Sequence, residues 1–142
     1  MSNKDKRMER YRGKINFIIE KLELVPEKKL TLLEQDGVYY RLVVAIEAAM
    51  DLIAMILRDL GKEVEDDYTN IEHLLEIKSF SPKLAEDLRK CNGLRNALVH
   101  QYNKVDGEIA LGSLSEVKNI LFKWIEFVEG LMDEFEQEKN SE

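Results

Sequence analysis

Apolar residues recur at helical spacing along most of the chain. Between about Lys4 and Glu23, Met8, Tyr11, Ile15, Ile18 and Leu22 fall three or four positions apart, which predicts an amphipathic first helix. Pro26 interrupts it, and a second helix is expected from near Glu27 or Leu30 to about Leu60, with Gly61 as its stop. The middle of that helix, LVVAIEAAMDLIAMIL, is apolar on most sides, as suits a central element touched by several neighbours. After the acidic stretch GKEVEDDY, Thr69 and Glu72 have capping-box spacing and predict a short helix of about Asn70 to Lys78. Ser81-Pro82 reads as N-cap and first position of a fourth helix carrying Leu84, Leu88, Leu94 and Leu98. The polar run NKVDGEIALG ends it. Ser113 and Glu116 then introduce a last helix whose Leu114, Val117, Leu121, Trp124, Val128, Leu131 and Phe135 form an a/d seam. The tail EQEKNSE, residues 136–142, is expected to fray.

This pattern predicts an all-α fold: an antiparallel four-helix bundle with one additional short helix, in a single domain spanning 1–142. Composition narrows the setting. The lone cysteine, Cys91, cannot form an intramolecular disulfide and suits a reducing cytoplasm, and no apolar run approaches the roughly 18 residues of a membrane span. The formal charge of -7 argues against a general nucleic-acid coat protein. From Leu88 to Lys104, however, the sequence holds Arg89, Lys90, Arg95 and Lys104 and no acidic residue, which makes these cations candidate phosphate contacts.

That stretch contains the segment GLRNALVHQYNKVD, from Gly93 to Asp106. Within it Arg95, Asn96, His100 and Tyr102 bring together a fixed cation, an amide, a titratable imidazole and a phenol. Each has an ordinary role when taken singly: a charge at a helix C-terminus, a polar helix end, a satisfied histidine, a phenol covering the core. The combination near one helix end is less ordinary. At about 100° per residue, Asn96 and His100 lie about 40° apart, but Arg95 and His100 lie about 140° apart. One straight helix does not aim both at one phosphate, whereas two copies related by a two-fold axis can.

The spacing Arg95-x4-His100-x-Tyr102, with Leu94 before Arg-Asn, Leu98-Val99 before His100 and Val105-Asp106 after Tyr102, resembles the signature of HEPN domains, specifically the HepT-like toxin branch. The helix order resembles that family over nearly the whole chain. The resemblance implies an endoribonuclease toxin that uses no metal or other cofactor and acts as a homodimer with a shared cleft. RNA carries its own nucleophile, the 2′-hydroxyl, so cleavage needs a base, an acid and charge stabilisation at the phosphorane. His100 suits the base or acid role, Arg95 can grip the phosphate, and Asn96 can orient His100 or bind an oxygen. The expected product is a 2′,3′-cyclic phosphate. The resemblance further implies a partner nucleotidyltransferase of the MNT type that acts as antitoxin by transferring AMP to Tyr102.

Other signals are weaker. His73 is expected to be structural or exposed, and His73, His100 and Cys91 lack the spacing of a zinc site. Glu47 and Asp51 stand at i and i+4 in the second helix without the histidines of a di-iron bundle, and are expected to pair with a base such as Arg41 or to face the dimer cleft. Two alternatives stay open beside the ribonuclease. One is a non-catalytic helical subunit that shapes the substrate site of a two-component nucleotidyltransferase. The other is a structural bundle that dimerises through the seam of its last helix.

Overall fold

The computed structural model describes residues 2–23, 30–100 and 112–140. They form α1 (Asn3–Glu23), α2 (Leu32–Asp59), α3 (Asp67–Leu74), α4 (Pro82–His100) and α5 (Leu114–Asn140), and no strand occurs among the described residues. The protein is therefore all-α. Helices α1, α2, α4 and α5 close a four-membered bundle, and the short α3 lies against α2 and α4. Ascending α1, Tyr11 donates to Asp59 and Lys14 reaches Asp51, so α1 and α2 run antiparallel. The same logic sets α3 against α4: Tyr68 lies over Gly93, and Glu72 pairs with Arg89.

The apolar stripes go where their spacing requires. Tyr11, Ile15, Ile18 and Leu22 of α1 are buried, and Met8 packs against the core's edge. Helix α2 touches every other helix, and Leu42, Ala45, Ile46, Ala49, Leu52, Ile53, Ile56 and Leu57 are all inside. Val117, Leu121, Trp124, Val128, Leu131 and Phe135 of α5 are buried too. Trp124 stands edge-on to Phe80 at 6.1 Å and stacks with Phe127 at 5.9 Å. The α5 seam is thus consumed within the bundle, which removes it as the dimer interface of a structural scaffold.

Caps fix the helix ends, with two shifts from the sequence expectation. Helix α2 begins at Leu32, later than Glu27 or Leu30, because Thr31 forms a complete capping box with Glu34, both bonds at 3.1 Å. It ends in a Schellman motif. Gly61 takes φ 75°, Gly61 N–H donates to Arg58 O at 3.0 Å, and Lys62 N–H donates to Leu57 O at 2.8 Å. The short helix starts at Asp67 and ends at Leu74, displaced from the expected Asn70 to Lys78. Asp66 is its N-cap and accepts from Thr69 N–H at 2.9 Å, so Thr69 is the residue being capped and not the cap. Ser81 caps α4 as expected, accepting from Leu84 N–H at 3.3 Å.

The connection into α3 is held by side chains. Buried Asn70 accepts from Glu65 N–H at 2.7 Å and donates to Glu65 O at 3.2 Å. His73 sits between Glu65 (2.8 Å) and Glu76 (3.3 Å), and Lys62 meets Glu76 at 2.6 Å. These hydrogen bonds, Glu65 first and Glu76 second, raise the imidazole pKa above its ordinary value.

Two stability outcomes follow. Ile46→Ala should cost about 2–5 kcal/mol in urea unfolding through the cavity it leaves, against about 1 kcal/mol for the capping loss in Thr31→Ala. A raised folded-state pKa means that His73 contributes stability in full below the unfolded value of about 6.5 and loses it as pH rises through the folded value. An NMR titration should place the His73 midpoint above that of an unfolded peptide, and Glu65→Gln should lower it.

Candidate functional site

Helix α2 presents Glu47 and Asp51, α3 brings Asp67 at its first turn, and α4 contributes Arg95. These four and Met50 line a cleft of about 250 Å³. Arg95 is partly exposed there. Its Nε and Nη2 both donate to Glu47 Oε1, at 3.1 and 2.6 Å, and its Nη1 donates to Asn96 Oδ1 at 2.9 Å. Every guanidinium nitrogen therefore has one partner, which fixes the plane of the group and leaves two of its five N–H bonds unspent. Asp51 turns the other way to pair with Lys14 at 3.1 Å.

Sequence proximity and spatial proximity differ here. The run from Leu88 to Lys104 has no acid of its own, but α2 and α3 set Glu47, Asp51 and Asp67 around Arg95, so carboxylates outnumber cations among the described lining residues. Burial raises the Asp67 carboxyl above its usual pKa; Arg95 opposes this, and Asp51, Asp66 and Glu47 reinforce it. Glu47 and Asp51 each pair with a base, as expected, but the bases are Arg95 and Lys14 and not Arg41.

The candidate site residues do not all converge. Arg95 and Asn96 are joined directly, and His100, exposed, closes the described part of α4 on the same side as Asn96. Arg89 faces α3, 3.8 Å from Glu72. Lys90 is exposed beside Leu94, where α4 meets Glu116 and Ile120 of α5. Arg95, Arg89 and Lys90 thus point towards three different helices. Tyr102 and Lys104 lie outside the described residues. Cys91 is buried, and its thiol is pushed up to about 12, chiefly by burial, so it brings no nucleophile to the site. No group of three His, Cys, Asp or Glu side chains that could hold a metal ion occurs among the described residues. Nor is any helix among them long and apolar enough to cross a membrane.

Sequence reasoning missed Asp67 and Tyr68, since an acidic loop reads as solvated until α3 folds back over Gly93. There a Cβ would meet the Tyr68 hydroxyl at 3.8 Å. The i, i+4 carboxylates of α2 were visible, but their separate partners on α4 and α1 were not.

Comparison with known proteins places this bundle in a family. The family described as "Ribonuclease HepT-like" matches residues 11–129. The chain belongs to the HepT-like ribonuclease family. A protein of Archaeoglobus fulgidus, named as a candidate RNase, is 51% identical over 92% of this chain and 98% of its own length. A tRNA nuclease HepT from Aphanizomenon flos-aquae is 37% identical over 54% of each chain. Among solved structures, a HEPN toxin of Shewanella oneidensis, tri-AMPylated and in complex with an MNT antitoxin, matches with a TM-score of 0.68 over 92% of this chain and 99% of that one, at 20% identity. A mutant of the toxin–antitoxin pair MntA–HpeT gives 0.74 over 84% of this chain and 98% of that one, also at 20% identity. At that identity the structural matches speak for the fold.

The charge arrangement around Arg95 makes opposite demands on two variants. Arg95→Gln should raise the Asp67 titration midpoint and Glu47→Gln should lower it, as read by carboxyl carbon NMR. The Glu47 variant should change unfolding stability by no more than about 1 kcal/mol, because the ion pair is partly solvated. Shifts of the same sign in both would contradict the arrangement.

Proposed function

We propose that this ribonuclease is a metal-independent endoribonuclease toxin, acting in a cleft shared by two copies and silenced by AMP transfer to Tyr102 from a nucleotidyltransferase antitoxin. The observation that carries the reading is the setting of Arg95. It is held in a preset orientation at the α2–α4 cleft, with two N–H bonds unspent, and His100 lies exposed at the end of the same helix. An oriented guanidinium suits the charge that develops on a phosphorane, and an exposed imidazole suits proton transfer near neutral pH.

The dimer draws support from apolar side chains in water. Leu33, at 82% exposure, and Tyr40, at 62%, stand on the α2 stripe that continues at heptad spacing to Glu47, and Val99 is exposed on α4 between Asn96 and His100. Such a stripe leading into a polar cleft suits an isologous interface, which would set the second copy's Arg95 and His100 opposite the first's. In the reaction, one imidazole takes the 2′-hydroxyl proton and the 2′-oxygen attacks phosphorus. The bond to the 5′-oxygen breaks as a second acid supplies its proton, leaving a 2′,3′-cyclic phosphate and a 5′-hydroxyl. Arg95 neutralises the dianionic phosphorane, and Asn96, already bonded to Arg95, keeps it oriented. Arg89, Lys90 and Lys104 would meet flanking phosphates of a long substrate.

The AMP-transfer proposal draws on the AMPylated state and the MNT antitoxin named for the Shewanella relative. A nucleotide on Tyr102, two positions beyond His100, would add bulk and negative charge beside the phosphate site. The tRNA nuclease named among the sequence relatives makes transfer RNA the first substrate to try. A second reading, a non-catalytic subunit that only binds nucleotide, is favoured by the carboxylates around Arg95 and by its existing bonds to Glu47 and Asn96.

The deciding experiment is cleavage of labelled transfer RNA in EDTA, with product ends mapped. Wild type should yield cyclic phosphate ends, and His100→Ala should be slower by about 10²–10⁴-fold. Tyr40→Glu should shift sedimentation from dimer to monomer and abolish cleavage. An intact RNA pool with dimeric, unmodified wild type would favour the binding subunit.

A further inference from the structure

A cavity larger than the Arg95 cleft lies elsewhere on the described structure. It is a groove of about 620 Å³ between α1 and α2, lined by Arg10, Gly13, Lys14 and Phe17 on one side and Met55 and Arg58 on the other, within the roughly 300–1,000 Å³ range of small-molecule sites. Arg10, Lys14, Phe17 and Lys21 follow one face of α1 at steps of four, three and four, and Lys21 Nζ stands 5.3 Å from the centre of the Phe17 ring. Phe17 itself is 37% exposed. Asp59, the one carboxylate among the described lining residues, is already engaged by the Tyr11 hydroxyl and by Arg7 at 3.4 Å. Arg10 and Arg58 have no ion-pair partner among the described residues. On a chain of net charge -7, this groove is an island of positive charge around an apolar, aromatic floor.

Gly13 sharpens the picture. A glycine inside a helix costs about 1 kcal/mol relative to alanine, yet nothing lies within 4 Å of the place a Cβ would occupy, so packing does not demand it. What its missing side chain does is leave the groove open. The groove also adjoins the Arg95 cleft, since Lys14 lines one, Asp51 lines the other, and the two are joined by a single ion pair at 3.1 Å.

We propose that the α1–α2 groove is an anchoring site for single-stranded RNA, holding one base of the substrate against Phe17 and Met55 and the neighbouring phosphates on Arg10 and Arg58. The inference deepens the ribonuclease reading and rests on it for the identity of the ligand. Cations spaced beside an exposed aromatic ring fit a base and its backbone. A slot between two helices admits a single strand and not a duplex. An acidic polypeptide without aromatic residues would use the cations but lay no ring on the Phe17 floor.

The test is binding of a short fluorescein-labelled 2′-O-methyl oligonucleotide, which lacks the free 2′-hydroxyl and so remains intact with Arg95 and His100 in place. Anisotropy should show Phe17→Ala weakening affinity on the order of 10- to 100-fold, the usual effect of losing one stacked base. Arg10→Gln with Arg58→Gln should lower the salt slope by about 1.4, two phosphates at about 0.7 each. Gly13→Leu should block binding with its melting temperature maintained, which separates filling the groove from unfolding the chain. Unchanged affinity in all three would overturn the proposal, as would displacement of the oligonucleotide by poly-glutamate at equal charge concentration. The two readings fail separately. Wild-type cleavage that survives in groove variants of normal affinity sinks the groove alone. Groove-dependent binding by a wild type that cuts no RNA sinks the catalytic reading and keeps the groove.

Discussion

The long helix α2 has to satisfy four neighbours at once, and the rest of the molecule is arranged by how it does so. Its apolar residues bury towards α1, α3, α4 and α5, so little of its circumference is left for polar side chains. Glu47 and Asp51 occupy part of that remainder at the solvent edge, where each lies within reach of a cation on an adjacent helix. Glu47 finds Arg95 on α4 and Asp51 finds Lys14 on α1. The narrow polar edge left on α2 thereby orients Arg95 and also links the α1–α2 pair.

This arrangement explains why the fold was largely legible in the sequence and the site only in part. Helix identity depends on local periodicity, and the stripes of α1 and α5 could be read directly because Tyr11, Ile15, Ile18, Val117, Leu121 and Trp124 all do what spacing demands. Errors fell at helix ends, where the strongest cap wins: Asp66 displaces Thr69, and Thr31 with Glu34 sets the start of α2. Arg95, Asn96 and His100 could be picked out as candidates because they share one short segment. Their electrostatic setting could not, since Asp67 lies 28 positions before Arg95 and Glu47 lies 48 before it. The α1–α2 groove was invisible for the same reason. Arg10 and Lys14 belong to one helix and Met55 and Arg58 to another, and only the fold sets them across from each other.

The chemistry drawn from the site asks the protein for orientation more than for reactive groups. In the proposed reaction RNA would supply the nucleophile and bulk solvent would take up protons between turnovers, leaving each copy to hold a guanidinium still and its partner to bring an imidazole to it. A small helical bundle is well suited to that, because its helices are stiff and a preset guanidinium pays little reorganisation when charge develops. The carboxylates near Arg95 set a threshold: a ligand must compete with Glu47, and a bridging phosphate is a stronger bidentate acceptor than a solvated carboxylate only when it is correctly placed.

Cys91 has a practical bearing of its own. It is the sole thiol of the chain, it is buried, and it lies one helical turn before Arg95 on α4. With its ionisation pushed up to about 12 it is inert to alkylating reagents while α4 is packed. Alkylation can then proceed only through excursions that lift that turn of α4 off its neighbours. The rate of thiol labelling under native conditions is therefore a clock for the opening of the helix that carries Arg95, built into the unmodified protein and readable by mass alone.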